Sequence, residues 1–318
     1  METLKSKVNG IYRIRRTNTL FERLWRRHMK DKKRRNIVCI SIIFVCFFIM
    51  AAIYVIPSMY QNTCKARVYE DLQERISSDV CNANIRVVTK ITQKAGNVES
   101  FNCGETGCGV IIDYKDGYYY VLTAAHVVDG KTEYETGVAL DNVSESDIEY
   151  SIVPYGETTY NMARKESDEY VPVDDFYDKY QKASVEYISD ETDIAVIKFK
   201  SDDDEEYPYL QISEKEPKYN DRIVSFGKSD EEGSLINYGR ITSKDYKTFE
   251  VNDGRNSDKV YYHNAYAIPG YSGSAVLNEK MEIVGINIGG GTDFLGRFRH
   301  GAMIPISIIK PVLDGLDY

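Results

Sequence analysis

Apolar residues fall along this chain in three regimes. From Ile37 to Ile56 they run for 20 residues without a charge, and Ser41 is the only hydroxyl besides Tyr54. At 1.5 Å rise per residue a helix of this length spans about 30 Å, the thickness of a hydrocarbon core. A buried core helix would carry a polar side. A cleaved signal has a shorter apolar stretch ending at small residues, whereas this one ends in Val55-Ile56-Pro57-Ser58-Met59. The pattern therefore predicts one transmembrane helix over 37–56. Over 57–82 the positions Tyr69, Leu72, Ile76 and Val80 recur at helical spacing between charges, which predicts a short helical stalk or a helix packed on the outer domain. From about Asn84 the period changes. Short runs rich in Val, Ile and Tyr alternate with Gly, Asp and Asn, as in Ile85–Thr89, Gly109–Asp113, Tyr118–Thr123, Ile194–Lys198, Arg222–Phe226, Lys259–Tyr262, Ser274–Leu277 and Ile283–Ile288. Many short strands joined by turns predict an all-β barrel or sandwich over 83–318, long enough for a pair of small barrels.

Charge adds a direction to this layout. The net charge of -9 over 318 residues hides a split, because residues 1–36 carry 13 Lys/Arg against 3 Asp/Glu and residues 57–318 carry 27 against 46. Arg26, Arg27, Lys30, Lys32, Lys33, Arg34 and Arg35 directly precede the apolar run. The excess of positive charge places residues 1–36 in the cytoplasm and everything after Pro57 outside. Beside a span, such a cluster suits anionic lipid headgroups rather than nucleic acid. Residues 130–190 are acidic, Tyr-rich and weakly periodic and read as an insertion, and Asp202-Asp203-Asp204-Glu205-Glu206 reads as a solvated loop. Asn142-Val143-Ser144 has the form of a glycosylation sequon.

Cys39 and Cys46 lie in the apolar run, and Cys64, Cys81, Cys103 and Cys108 lie beyond it, where disulfides persist. A straight helix over 62–80 separates Cys64 from Cys81 by about 25 Å, too far to bridge. The other pairings stay open. No histidine neighbours these cysteines and no paired CxxC spacing occurs, so no metal or other cofactor is expected.

Three segments carry chemistry. In Thr123-Ala124-Ala125-His126-Val127-Val128 a β-run passes through small residues into a histidine. In Asp190-Glu191-Thr192-Asp193-Ile194-Ala195-Val196 an aspartate opens an apolar strand, and Asp193 is preferred to Asp190 because Ile194 follows it. In Pro269-Gly270-Tyr271-Ser272-Gly273-Ser274-Ala275 glycines flank a serine in a tight turn before a strand. Each has an ordinary structural reading alone. Together they supply what a serine nucleophile needs: a base within reach and an anion to fix and stabilise that base. The chain order His, Asp, Ser is the chymotrypsin order, and an α/β-hydrolase would place the histidine last.

On these segments, and on Glu282-Ile283-Val284-Gly285-Ile286-Asn287 and Gly301-Ala302-Met303-Ile304-Pro305-Ile306, residues 83–312 resemble the trypsin/chymotrypsin-like serine proteases, nearest the HtrA/Deg-type and glutamyl-endopeptidase-like branches. The resemblance implies two six-stranded antiparallel β-barrels with the site between them. It implies a catalytic triad of Ser272, His126 and Asp193, and an oxyanion hole made by the N–H groups of Gly270 and Ser272. Substrate would pair with Asn287, Ile288 and Gly289 as an added strand. Ser274 and Ala275 replace the family's usual Gly and Pro. Tyr271 stands where digestive relatives carry the Asp that captures a new N-terminus, which argues against that activation route. Asn287 replaces the pocket His of glutamyl endopeptidases, and Tyr266 at the expected pocket floor is not acidic, so an uncharged P1 residue is expected. No PDZ-like segment follows before Tyr318. The expected function is a membrane-anchored serine endopeptidase acting on extracytoplasmic proteins or peptides. The competing reading is a catalytically silent protease-like domain used as a sensor or binding scaffold.

Overall fold

In a computed structural model the described residues are 2–65, 68–130, 145–166, 170–201, 206–229, 232–251 and 256–316. Side chains are described from residue 22 onward, except at 64, 65, 98, 145 and 256. The chain divides into two units, 1–59 and 60–318. Helix α1 (Glu2–Met50), a π-helical stretch Ala51–Val55 and helix α2 (Ile56–Lys65) follow one another without a break. The most apolar 18-residue window within Glu22–Thr63 has a mean hydropathy of 2.9, and none of it is buried. This helix is long and apolar enough to cross a membrane, and its large apolar side chains over 37–56 are exposed.

The helical spacing read over 57–82 is realised as separate short helices. After α2 come α3 (Glu70–Gln73) and α4 (Ser78–Asn82), and the Ser77 hydroxyl caps α4 by accepting from the Val80 N–H at 3.3 Å. Leu72 and Val80 are buried in the same core as the strands that come after them.

Those strands form a closed antiparallel barrel of β1 (Asn84–Ala95), β2 (Val98–Lys115), β3 (Tyr118–Ala124), β6 (Ile194–Phe199), β5 (Gln181–Ser189) and β4 (Glu145–Pro154), with β4 pairing back onto β1. Closure removes exposed edges, and apolar side chains such as Val87, Val110, Leu122, Ile152 and Ile197 are buried in one core. The second half is an antiparallel sheet in the order β8 (Gly233–Arg240), β7 (Arg222–Ser229), β11 (Ala275–Leu277), β12 (Ile283–Thr292), β13 (Phe298–Pro305), β10 (Asn256–His263) and β9 (Lys247–Glu250). Helix α8 (Ile306–Asp314) closes the chain and buries Ile306, Ile309 and Leu313. This is the all-β, chymotrypsin-like architecture expected. In detail the second half has seven strands among the described residues, because the four-residue β9 is added beside β10, and the chain leaving β8 returns to β10 through an Ile241–His263 bridge and the Asn264 N–H on Arg240 O.

Two expectations need correction. Residues 130–190 are not simply an insertion, since they supply two barrel strands, β4 and β5, and the short helices α5 (Ala125–Val128), α6 (Tyr160–Glu166) and α7 (Val173–Tyr177) flank them. The sequon at 142–144 and residues 202–205 of the acidic run 202–206 lie outside the described residues. The expected disulfides are absent among the described cysteines, for Cys81, Cys103 and Cys108 are free thiols. Each occupies its own environment. Cys103 is packed with Val88, Val153 and Tyr177, Cys108 faces Gly270, and Cys81 neighbours Tyr155. The Cys64 side chain is outside the described set.

Candidate active site

The register of β3 against β6 brings the first two candidate residues together. Thr123 pairs with Ala195 and Ala124 with Ile194, so the residues that follow β3 and precede β6 must be neighbours. The chain leaves β3 into the single turn of α5, which buries Ala125, Val127 and Val128 and leaves His126 partly exposed. Asp193 is 2 % exposed. It holds this turn three ways. Its carbonyl accepts from the Ala125 N–H at 3.1 Å, its Oδ1 accepts from the His126 backbone N–H at 3.0 Å, and its Oδ2 lies 2.8 Å from His126 Nδ1. The backbone of Asp193 has φ +53°, a left-handed conformation that Asp and Asn adopt more readily than most residues. The carboxylate thus fixes the position and ring orientation of His126, with Nδ1 facing the acid and Nε2 facing outward.

Ser272 arrives from the other half of the fold, in the loop between β10 and β11. Its carbonyl accepts from the Cys108 N–H on β2 at 2.8 Å, and the Cys108 carbonyl accepts from the Thr123 hydroxyl at the end of β3 at 2.7 Å. The serine loop is therefore tied to the strand that delivers His126. The approach is close enough that a Cβ on Gly273 (φ +81°) would lie 2.1 Å from Cys108 O and 2.2 Å from Thr123 Oγ1, so glycine is required there.

Within the loop the amides divide into two sets. Those of Tyr271, Gly273 and Ser274 donate to Ile268 O, Asn287 O and Tyr271 O. Those of Gly270 and Ser272 have no acceptor among the described residues, which leaves two donors beside one serine. Gly270 has φ +97°, and its carbonyl accepts from the Cys108 thiol at 3.2 Å. Burial, opposed by the charge of Lys228, pushes that thiol up to about 12, so it stays a neutral donor. Tyr271 is fully buried, its ring lies on Gly227 and its hydroxyl meets the Asn237 amide. A buried phenol thus helps to hold the loop.

The residues expected to meet substrate lie along β12 and the segment before Ser272. Ile286 pairs with Ala275 on one side and Ile304 on the other. Beyond it β11 has ended, a bulge falls between Asn287 and Gly289, and Gly289 pairs with Ala302. Asn287 is fully buried and its side chain turns inward. Its amide donates to Ser225 Oγ and Ser274 Oγ, both at 2.8 Å, and its carbonyl oxygen lies 2.8 Å from His263 Nε2. It braces the serine loop from below. Ile288 is buried as well. Tyr266 is 4 % exposed and packs on Phe298, ring centroids 5.2 Å apart. A Cβ on Gly290 would lie 2.6 Å from Ala267 O, so the walls beside Tyr266 stand close. His263 is buried and His300 is stacked on Tyr262.

The family model of the trypsin-like peptidase domain matches residues 107–286. This range runs from the glycine before Cys108, through His126, Asp193 and Ser272, into β12, and the chain belongs to that peptidase family. Among solved structures, the HtrA-type protease AlgW with decapeptide is 17 % identical, with 78 % of this chain and 67 % of that chain covered and a TM-score of 0.50. A serine-to-alanine variant of AlgW with decapeptide gives 16 %, 77 %, 67 % and 0.50. At these identities the likeness shows the shared fold. A comparison with curated proteins finds no match. Among the described residues no cluster of His, Cys, Asp or Glu has the form of a metal site.

Proposed function

We propose that the chain is a membrane-anchored serine endopeptidase that cleaves extracytoplasmic proteins or peptides through an acyl-enzyme. Ser272 attacks the scissile carbonyl, His126 takes its proton and later gives it to the leaving amine, and Asp193 orients and stabilises the imidazolium. The N–H groups of Gly270 and Ser272 receive the negative charge that develops on the carbonyl oxygen. The observation that carries this reading is the pairing of a fixed His126–Asp193 contact with a serine loop tied to the same strand end and presenting two unpaired amides. The backbone of β12 beyond Asn287 is the edge on which a substrate strand would add. Tyr266 and Phe298 fill the floor beside it, which supports an uncharged P1 residue.

The apolar helix and the basic residues before it support a cytoplasmic N-terminus with the protease outside the cell membrane. This chain would then meet substrates at the membrane surface. The test is labelling of the detergent-solubilised protein with a fluorophosphonate probe. Wild type is expected to label and Ser272→Ala to fall to background. Folded wild type that does not label would favour the silent scaffold instead.

A further inference from the structure

Beneath the Gly270–Ser272 loop lies a cluster of buried charge. Arg86 on β1 is 2 % exposed, Glu105 on β2 is 3 % exposed and Lys228 on β7 is 6 % exposed, all measured on the side chain. Arg86 Nη1 lies 3.1 and 3.2 Å from the two Glu105 oxygens, and Lys228 Nζ lies 3.5 Å from Glu105 Oε2. Two cations thus meet at one carboxylate. Burying such a group of charges is costly, and apolar residues of like volume stabilise a fold at least as well. Arg86 Nε adds to the cost, being buried with no partner among the described residues.

Two further observations connect this cluster outward. The Lys228 stem runs against Gly270, where a Cβ would lie 2.9 Å from Lys228 Cε and 3.3 Å from its Cγ. Cys108, three residues after Glu105 on the same strand, donates through its thiol to Gly270 O and through its N–H to Ser272 O. On the opposite side the segment between β4 and β5 completes the cluster. The Tyr177 hydroxyl donates to Glu105 Oε1 at 2.8 Å, and Arg86 Nη2 donates to Glu157 O at 2.6 Å. Burial and the neighbouring Glu105 both raise the Tyr177 phenol well above its ordinary range, so it remains a donor.

We infer that Lys228 is a positioning residue for the oxyanion loop, clamped by Glu105 and completed from outside by Tyr177 and Glu157. Its stem props Gly270, and its charge, in a poorly screened interior, favours the negative charge that gathers at the Gly270 and Ser272 amides. Tyr177 and Glu157 thereby bear on turnover through Glu105 and Arg86. This rests on the proposed serine-protease reading.

The test uses the full chain in detergent, with p-nitrophenyl acetate as the acyl donor and Ser272→Ala as the blank. Removal of a direct oxyanion donor costs about 100- to 1000-fold in kcat, and a group one step behind it is expected to matter less. Lys228→Met, which keeps the stem and removes the charge, is expected to lower kcat roughly 10-fold with KM within about twofold. Lys228→Arg is expected to restore most of it. Tyr177→Phe leaves all three charges in place and is expected to lower kcat about threefold at unchanged KM, which keeps the test open should Lys228→Met fail to fold. Wild-type kcat in Lys228→Met, or an equal loss in Lys228→Arg, overturns the inference. So does wild-type kcat in Tyr177→Phe. Absence of Ser272-dependent turnover in wild type instead overturns the protease reading, and this inference with it.

Discussion

Asp193→Asn is expected to fold normally and to lose about four orders of magnitude in kcat, the size of the same change in the best-characterised serine protease triad. The local geometry says why the loss is chemical. Asn is among the few residues at ease at φ +53°, so the backbone that receives the Ala125 N–H stays in place. One side-chain oxygen remains, and the His126 backbone N–H, which now donates to Oδ1 at 3.0 Å, keeps it occupied. The amide nitrogen then takes the place of Oδ2, the nearer of the two oxygens to His126 Nδ1 at 2.8 Å against 3.0 Å for Oδ1. As a donor it forces Nδ1 to accept. The ring proton moves to Nε2, which can no longer take the proton of Ser272. Esterase kinetics with a melting curve check this, and near-native kcat in Asp193→Asn would remove Asp193 from the mechanism.

The elements that place this pair were legible because each depends on local pattern. An apolar strand ending in small residues before His126, and one starting directly after Asp193, read clearly in sequence, and the β3–β6 register does the rest. Where burial alternates with charge, the signal fades. In β5 every second residue is exposed, and Lys182 and Glu186 sit among them, so a barrel strand resembled a polar insertion. The role of Asn287 was hidden for another reason. Its partners Ser225, Ser274 and His263 are 62, 13 and 24 residues away, and no spacing rule links them. The same holds for Arg86, Glu105 and Lys228, which look like ordinary surface charges of three strands until the barrel and the second sheet close over them. Cysteine pairing failed as an expectation because it depends on distances that only the fold sets.

The inward-facing network under β12 gives the second large effect, an acid-dependent loss of stability centred on His263. Asn287 uses its amide nitrogen on Ser225 and Ser274, so its oxygen must accept, and His263 Nε2 must be the donor at 2.8 Å. Burial, opposed by the hydrogen bonds to Asn287 and to the Ala265 backbone, lowers the ring from 6.5 to about 4. Between these two pH values the unfolded chain binds a proton that the folded chain refuses. Stability is therefore full above about pH 6.5, falls as pH drops through this window and levels off below about 4. The shift corresponds to about 3 kcal/mol. His300, half-buried and also lowered by burial, adds in the same direction. Carboxylates titrate in the same range, so the comparison that isolates the histidine is wild type against His263→Gln in denaturant melts from pH 7.5 to 4. The variant is expected to start less stable and to lose about 3 kcal/mol less across the window, so the two curves converge. Parallel curves would mean that the ring is already charged in the fold. The consequence reaches the serine, because Asn287 joins this ring to Ser274 and accepts the Gly273 N–H on its own carbonyl, so acid weakens the floor on which Ser272 stands.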